Sequence, residues 1–388
     1  MKHKTIYFVA GEASADNHGA ALMRALRDLD PSIQFCGRGG PQMQAVAGPE
    51  FEDWIAEAAV LGLWEVLKKY GYFREKFRRT VADIERLNPD AVLLIDYPGF
   101  NLRLARALHH GRKSHKIIYY ISPQVWAWHR GRIPQMARWI DLMLCIFPFE
   151  ADLYNQSGLR TRFVGHPMID RLAARKVTTS RDPNLVALFP GSREREIRKI
   201  FPILLQVIKR LHERQPQLRF EVAAASERLA SAMQKAARDK RFSQLEIRLG
   251  DSAGLMQRAT VGLVASGSAT LEAAYFRLPF VLIYKVSWLT YIAAKMVVRV
   301  PHIGMPNVLA GHEIVPEFIQ HRANPERIAD SLRSLMEDEL IKNRMLAEFD
   351  VIMERLSEGG ASQIAAREIV SELNTDGAVR SEVETISG

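Results

Sequence analysis

Two short segments carry the residue types and spacing for phosphate chemistry: LFPGSREREI (188–197) and, further along, VASGSATLEAA (264–274). Each reads as an apolar strand, a tight Gly/Ser turn and the first turn of a helix. That arrangement aims free backbone N–H groups and the positive end of a helix dipole at one spot. The residues concerned are Gly191, Ser192 and Arg193 in the first turn and Ser266, Gly267, Ser268 and Thr270 in the second. Two such turns in one half of the chain point to a diphosphate. Arg193 adds a planar cation; read as a plain solvated helix start it would oppose the dipole unless an anion were present. Glu272, one helical turn after Ser268, reads either as a carboxylate turned to the same ligand or as a first-turn acid satisfying the dipole.

The carboxylates with chemical potential lie in the other half. Asp96 follows the apolar run AVLLI and precedes Tyr97-Pro98-Gly99. A carboxylate at a strand mouth, partly desolvated, is suited to take a proton from an attacking hydroxyl. The plainer alternative is a cap on the following turn or helix. Glu12, Ser14 and Asp16 share the loop after the first strand. Ser14 or Asp16 reads as a cap, whereas Glu12 is harder to explain as a cap and is assigned to the reaction site. His18 and His166 have acid–base capacity but also read as ordinary hydrogen-bonded loop residues. The Asp-x-Asp match, Asp28-Leu29-Asp30, sits at a helix end before Pro31, and no His/Cys cluster has zinc spacing, so neither a metal nor a cofactor is expected.

The elements that must position these groups alternate strand and helix throughout. Expected strands cover 5–10, 33–37, 91–96, 116–122, 142–147 and 162–165, then 185–190, 218–225, 245–250, 261–266 and 280–285. Uninterrupted Val/Ile/Leu runs imply strands covered on both faces, hence parallel sheets with right-handed crossovers. The expected fold class is α/β, two Rossmann-like domains facing a cleft. The N-terminal domain spans 1–166, the C-terminal one 185–350, and 351–388 forms a helix returning to the N-terminal domain plus a frayed tail. Ligands of open parallel sheets bind at the carboxyl ends of strands, where the phosphate turns, GEASADNHG, DYPGFN and SPQVWAW all fall. Ser14, Asp16, Asn101, Trp126 and Arg130 are therefore acceptor-side candidates.

The chain has 388 residues, 47% hydrophobic and 25% charged, with formal net charge +9, so it reads as globular with an anionic partner. No basic run or RNA-binding signature favours nucleic acid. Two cysteines, Cys36 and Cys145, exclude a disulfide framework and fit a reducing cytosol. The start reads as a first strand, not a signal peptide, and no apolar run is long enough to span a bilayer. A membrane contact is nonetheless expected at 58–79, where Leu63, Trp64, Leu67, Tyr70 and Phe73 alternate with Lys68, Lys69, Arg74, Lys76, Arg78 and Arg79. The competing reading is a helix buried on the sheet with a solvated basic edge.

Eight segments together resemble the lipid-A-disaccharide synthase family (glycosyltransferase family 19, GT-B): GEASADNHGA (11–20), IDYPGFN (95–101), YISPQVWAWHRGRI (120–133), PFE (148–150), FVGHP (163–167), LFPGSREREI (188–197), ASGSATLEAA (265–274) and MPNVLAGHEIVPEFIQ (305–320). The resemblance runs from about residue 5 to 370, in the family's order. It implies transfer of 2,3-diacylglucosamine from UDP-2,3-diacylglucosamine to 2,3-diacylglucosamine 1-phosphate (lipid X) with inversion, giving the β-1′,6 disaccharide 1-phosphate and UDP. It implies Asp96 as base, no bound metal, Gram-negative lipopolysaccharide synthesis, and a peripheral place on the inner face of the cytoplasmic membrane. Asn307, Glu317 and Gln320 become candidate donor contacts. Two positions depart from the pattern: Ala15 where the family usually has Gly, and Gly99 where some members carry a second acid. A homodimer is left open. Two other classes compete: a UDP-N-acetylglucosamine 2-epimerase, which shares the double Rossmann plan, and a non-enzymatic basic membrane scaffold.

Overall fold

The computed structural model describes residues 3–55, 66–111, 115–128, 130–238, 242–288, 291, 300–356 and 359–386, with side chains left out at 66–70, 128, 238 and 375–386. The chain divides into two compact units, Met1–Pro167 with Leu356–Gly388, and Met168–Arg355.

In the first unit the strands are β1 (Thr5–Ala10), β2 (Gln34–Gly39), β3 (Glu52–Asp53), β4 (Ala91–Ile95), β5 (Lys116–Tyr120), β6 (Leu142–Cys145) and β7 (Thr161–Phe163). The helices are α1 (Ala13–Leu29), α2 (Pro41–Ala47), α3 (Val66–Leu87), α4 (Pro98–His110), α5 (Val125–Trp128), α6 (Ile133–Trp139) and α7 (Pro148–Gln156). Among the described residues the sheet is wholly parallel, in the order β3-β2-β1-β4-β5-β6-β7. Every residue of β4 is buried, as its AVLLI run requires of a strand covered on both faces. The order reverses between β1 and β4, where Ala10 pairs with Ile95. Such a switch point opens a crevice at the carboxyl ends of its two strands.

The second unit holds α8 (Pro167–Ala173), β8 (Asp182–Phe189), α9 (Glu194–Arg214), β9 (Arg219–Ala224), α10 (Glu227–Arg238), β10 (Leu245–Leu249), α11 (Ser252–Arg258), β11 (Ala259–Ala265), α12 (Ala269–Tyr275), β12 (Phe280–Tyr284), α13 (Met305–Ala310), β13 (Glu317–Ile319), α14 (Pro325–Glu337) and α15 (Glu339–Arg355). Its sheet is also parallel, in the order β10-β9-β8-β11-β12-β13, with the reversal between β8 and β11. Helix α9 shows how sequence drives packing: Ile197, Ile200, Phe201, Leu204, Val207, Ile208 and Leu211 recur at helical spacing and all are buried.

The chain then returns to the first unit through α16 (Ala361–Ile386). Ala365, Ala366, Ile369 and Leu373 join the core formed with Leu22, Met23 and Leu26 of α1. Glu372, 1% exposed, pairs with Arg160 at 2.6 Å and Lys116 at 3.5 Å, and Lys4 donates to the Leu373 carbonyl at 3.0 Å. Helix α16 continues through the polar stretch that the sequence reads as a frayed tail.

Leu63 and Trp64, expected at a membrane, lie outside the described residues, as do the side chains of Leu67 and Tyr70. Phe73 is half-buried, edge-on to Tyr72 at 5.4 Å. One basic residue of the expected headgroup-facing set is corrected. Lys76 is buried, binds Glu52 at 2.5 Å and sits over the Tyr72 ring, because this part of α3 packs inward. No helix among the described residues is long and apolar enough to cross a membrane.

Candidate active site

At the switch point of the first sheet, β1 delivers Gly11 and Glu12 and β4 delivers Asp96 and Tyr97. Asp96 and Tyr97 are consecutive non-glycine residues in the left-handed region, with φ of 47° and 51°. That conformation is costly and persists only where surroundings hold it. Here the Asp96 carbonyl accepts from Asn101 Nδ2 at 2.7 Å and from the Tyr119 hydroxyl at 2.5 Å, while the Asp96 N–H donates to Tyr120 at 3.0 Å. Asn101, fully buried, also donates to the Ile95 carbonyl at 3.2 Å. The Tyr97 ring packs where a Gly11 side chain would stand: a Cβ there would meet it at 2.3 Å. Trp54 and Phe100 complete the aromatic support at 6.4 and 6.1 Å from Tyr97.

The strained turn leaves the Asp96 carboxyl half-buried, and burial raises its pKa above the ordinary value. The Glu12 carboxylate raises it further. A second carboxylate near Asp96, absent from DYPGFN itself, thus stands on the loop after β1. Asp96 does not cap the next helix; the N-cap of α4 is Tyr97, without side-chain help. Glu12 is exposed at the N-cap of α1 and makes no capping bond.

Three acceptor-side candidates are reassigned. Asp16 is 3% exposed and accepts from the N–H groups of Gly40, Gln42 and Met43 at 3.1, 3.0 and 2.9 Å, so it caps α2 from a buried position. Asn101 holds the Asp96 turn from behind. Trp126 is 4% exposed, and its indole N–H donates inward to Glu150 at 2.8 Å. Ser14 and Arg130 are exposed. The Asp28-Leu29-Asp30 match ends α1, with Asp30 bound to the Ser32 hydroxyl at 2.6 Å.

Glu150, quoted above only as part of PFE, is the residue the sequence reading missed. It is fully buried in the first turn of α7 and takes hydrogen bonds from Ser122 Oγ at 2.6 Å and Trp126 Nε1. Burial raises its pKa to about 7. An acid opening a helix is the commonest dipole partner, so sequence alone carries no sign of this burial.

In the second unit both phosphate turns fall at its switch point, after β8 and β11. Gly191 adopts φ 108°. The Glu196 carboxylate folds back to accept from the N–H groups of Ser192 and Arg193 at 3.1 and 3.2 Å and from Arg193 Nη1 at 3.1 Å. The turn therefore already gathers two N–H donors and a guanidinium about an anionic group. This supplies the anion whose absence would make a helix-start arginine unfavourable. In the second turn Gly267 and Ser268 are exposed, while Thr270 is buried with its hydroxyl on the Gly267 carbonyl at 2.8 Å. Ser266 Oγ reaches the Ile303 carbonyl at 3.4 Å. Glu272 pairs with Arg171 at 2.8 Å.

The remaining donor candidates are supporting residues. Asn307, fully buried, accepts from the N–H groups of Ile314 and Val315 and donates to the Val315 carbonyl and to Glu317. Glu317 accepts from the N–H groups of Ile303 and Gly304, fixing the two residues that lead into α13. Gln320 is 6% exposed at a positive-φ turn, its amide directed to the Val286 carbonyl at 3.4 Å. Asn307 and Glu317 lock the 303–317 segment through bonds that take up their polar atoms within the protein.

Residues 6–369 match the family model described as lipid-A-disaccharide synthetase. The chain is 39% identical over 376 residues to the lipid-A-disaccharide synthase of Geobacter sulfurreducens, covering 93% of this chain and 95% of that one. To the enzyme of the same name from Persephonella marina it is 34% identical, covering 96% and 99%. Among solved structures, the UDP-GlcNAc 2-epimerase from Neisseria meningitidis bound to UDP-GlcNAc aligns with TM-score 0.63 at 13% identity, over 95% of this chain and all (100%) of that one. A UDP-forming trehalose-phosphate synthase from Burkholderia vietnamiensis aligns with TM-score 0.55 at 12% identity, over 96% and 100%. The structural likeness establishes the double Rossmann-like fold, and the sequence matches establish more: the chain belongs to the lipid-A-disaccharide synthase family of glycosyltransferases.

Proposed function

We propose that the protein transfers 2,3-diacylglucosamine from its UDP conjugate to 2,3-diacylglucosamine 1-phosphate with inversion at the anomeric carbon. The acceptor's 6-hydroxyl oxygen attacks that carbon and its proton passes to the Asp96 carboxylate. The bond from the carbon to the β-phosphate oxygen breaks, and UDP leaves with the bonding pair. Asp96 carries this reading: it stands half-buried in a strained turn at the mouth of β4, and burial and then Glu12 raise its pKa, which makes it a stronger base. In the second unit the Gly191–Arg193 turn and the Ser266–Thr270 turn hold the diphosphate. There Arg193 exchanges Glu196 for the leaving group, whose charge the donors stabilise.

The acyl chains of both substrates place the reaction at a lipid surface. The basic, aromatic segment 58–79 is the proposed contact with the inner leaflet of the cytoplasmic membrane. Incubation with UDP-diacylglucosamine and the 1-phosphate acceptor, with mass detection of the disaccharide and NMR of its new anomeric proton, tests the reading. An α-linkage would refute inversion, and no product would refute the transfer. The shared fold motivates one alternative, a 2-epimerase: conversion of UDP-N-acetylglucosamine without acceptor would establish it instead.

A further inference from the structure

The segment that leaves β5 is clamped by a single helix. Glu150 accepts from Ser122 Oγ at 2.6 Å and from Trp126 Nε1 at 2.8 Å, and Tyr154, one turn later in α7, donates to the Pro123 carbonyl at 2.7 Å. The Phe149 ring meets Trp126 edge-on at 4.9 Å. Ser122, Trp126 and Glu150 are all buried, so the indole has one place to lie. The clamp ends at the surface: the Trp126 carbonyl accepts from Arg130 Nε at 3.0 Å, and the rest of that side chain is exposed.

A guanidinium whose Nε is fixed by a carbonyl keeps its Nη1/Nη2 edge for a planar, two-oxygen partner such as a phosphate. The position fits the reaction. Strand β5 runs parallel beside β4, so this segment and the Asp96 turn leave the same edge of the sheet, and the Asp96 N–H bonds to Tyr120 just before the segment begins. Two of the clamp bonds, from Ser122 and Trp126, use a carboxylate that solvation would otherwise favour leaving in water. Its retention in a fully buried site is explained if what it holds must not move.

We infer that Arg130 binds the 1-phosphate of the acceptor sugar and that Glu150 is a positioning residue acting on it through Trp126. The inference rests on the proposed function, which supplies a phosphorylated acceptor. It makes the phosphate a specificity determinant recognised in the first unit, apart from the diphosphate turns of the second.

The test uses the full-length protein with saturating UDP-diacylglucosamine and two acceptors, diacylglucosamine 1-phosphate and diacylglucosamine. Arg130→Ala is expected to lower kcat/KM for the phosphorylated acceptor by about 10- to 100-fold, the range for a hydrogen bond to a charged group. It should leave the unphosphorylated acceptor and the donor KM nearly unchanged, and Arg130→Lys should recover part of the loss. Glu150→Gln keeps an acceptor for Trp126 Nε1 and a donor for Ser122 Oγ, so it should retain the preference, whereas Glu150→Ala should lose it as Arg130→Ala does. The Arg130 variants, at an exposed position, carry the test even if Glu150→Ala fails to fold. A preference for the phosphorylated acceptor that survives Arg130→Ala overturns the inference alone. Absence of disaccharide from wild type with both acceptors overturns the proposed function and this inference with it.

Discussion

Replacing Glu150 by Gln removes a titrating group while keeping its shape and hydrogen bonds, and the consequence for stability can be worked out. In the folded protein burial holds this carboxyl at about 7, against an ordinary value of 4.5. Between those pH values the folded state carries about one proton more than the unfolded chain. Unfolding free energy therefore falls as pH rises, by about 1.4 kcal/mol per pH unit. The penalty is absent below pH 4.5 and complete above pH 7, where it reaches about 3 kcal/mol. The titratable groups facing Glu150 are Cys145 and Tyr154, and burial pushes both well above their ordinary values, so they stay neutral across this window. Urea denaturation of wild type and Glu150→Gln from pH 4 to 8.5, followed by tryptophan fluorescence, measures the difference directly. The variant's advantage should grow from near its acid-limit value at pH 4 to about 3 kcal/mol more at pH 8. A difference that stays flat with pH would refute the reasoning.

Asp16→Ala strips the N–H groups of Gly40, Gln42 and Met43, at the start of α2, of their acceptor; it should cost about 2 kcal/mol of stability, at the upper end for a cap, and leave UDP affinity unchanged in calorimetry. Asn101→Ala removes the amide that holds the Ile95 and Asp96 carbonyls. Thermal melts should show a loss of about 1–2 kcal/mol, and kinetics a lower kcat with the donor KM unchanged. Arg193→Ala should weaken UDP binding by about 1.5–3 kcal/mol; unchanged affinity would leave Arg193 as a mere partner of Glu196.

Much of the fold was legible because buried parallel strands advertise themselves. AVLLI and LMLC admit little else, and the Gly/Ser turns after β8 and β11 mark their own ends. Strands β3 and β13 were not legible: Glu52–Asp53 is two residues of acid, and Glu317–Ile319 is three residues opened by an acid just after Pro316, so only their neighbours make them strands. The site was harder to read because sequence shows a side chain's type but not what engages it. Glu12 and Asp16 stand one helical turn apart with the same chemistry, yet Asp16 is consumed by N–H groups of residues 40–43, which the local pattern cannot anticipate. Asn307 and Glu317 likewise look like ligand contacts until the 303–315 segment closes on them. Glu150 shows the opposite error, an unremarked helix-opening acid that proves to be fully buried.

The central claim is that Asp96 takes the acceptor's proton during glycosyl transfer. It is tested most directly by the rate of disaccharide formation by Asp96→Asn protein first shown by calorimetry to bind UDP as wild type does. The substitution keeps the shape of the side chain and should not disturb the Asp96 carbonyl, through which Asn101 and Tyr119 hold the turn. Loss of the base should lower the rate by about 10²–10⁴-fold with UDP affinity intact. A rate within about tenfold of wild type, below the range for general-base catalysis, would contradict the account.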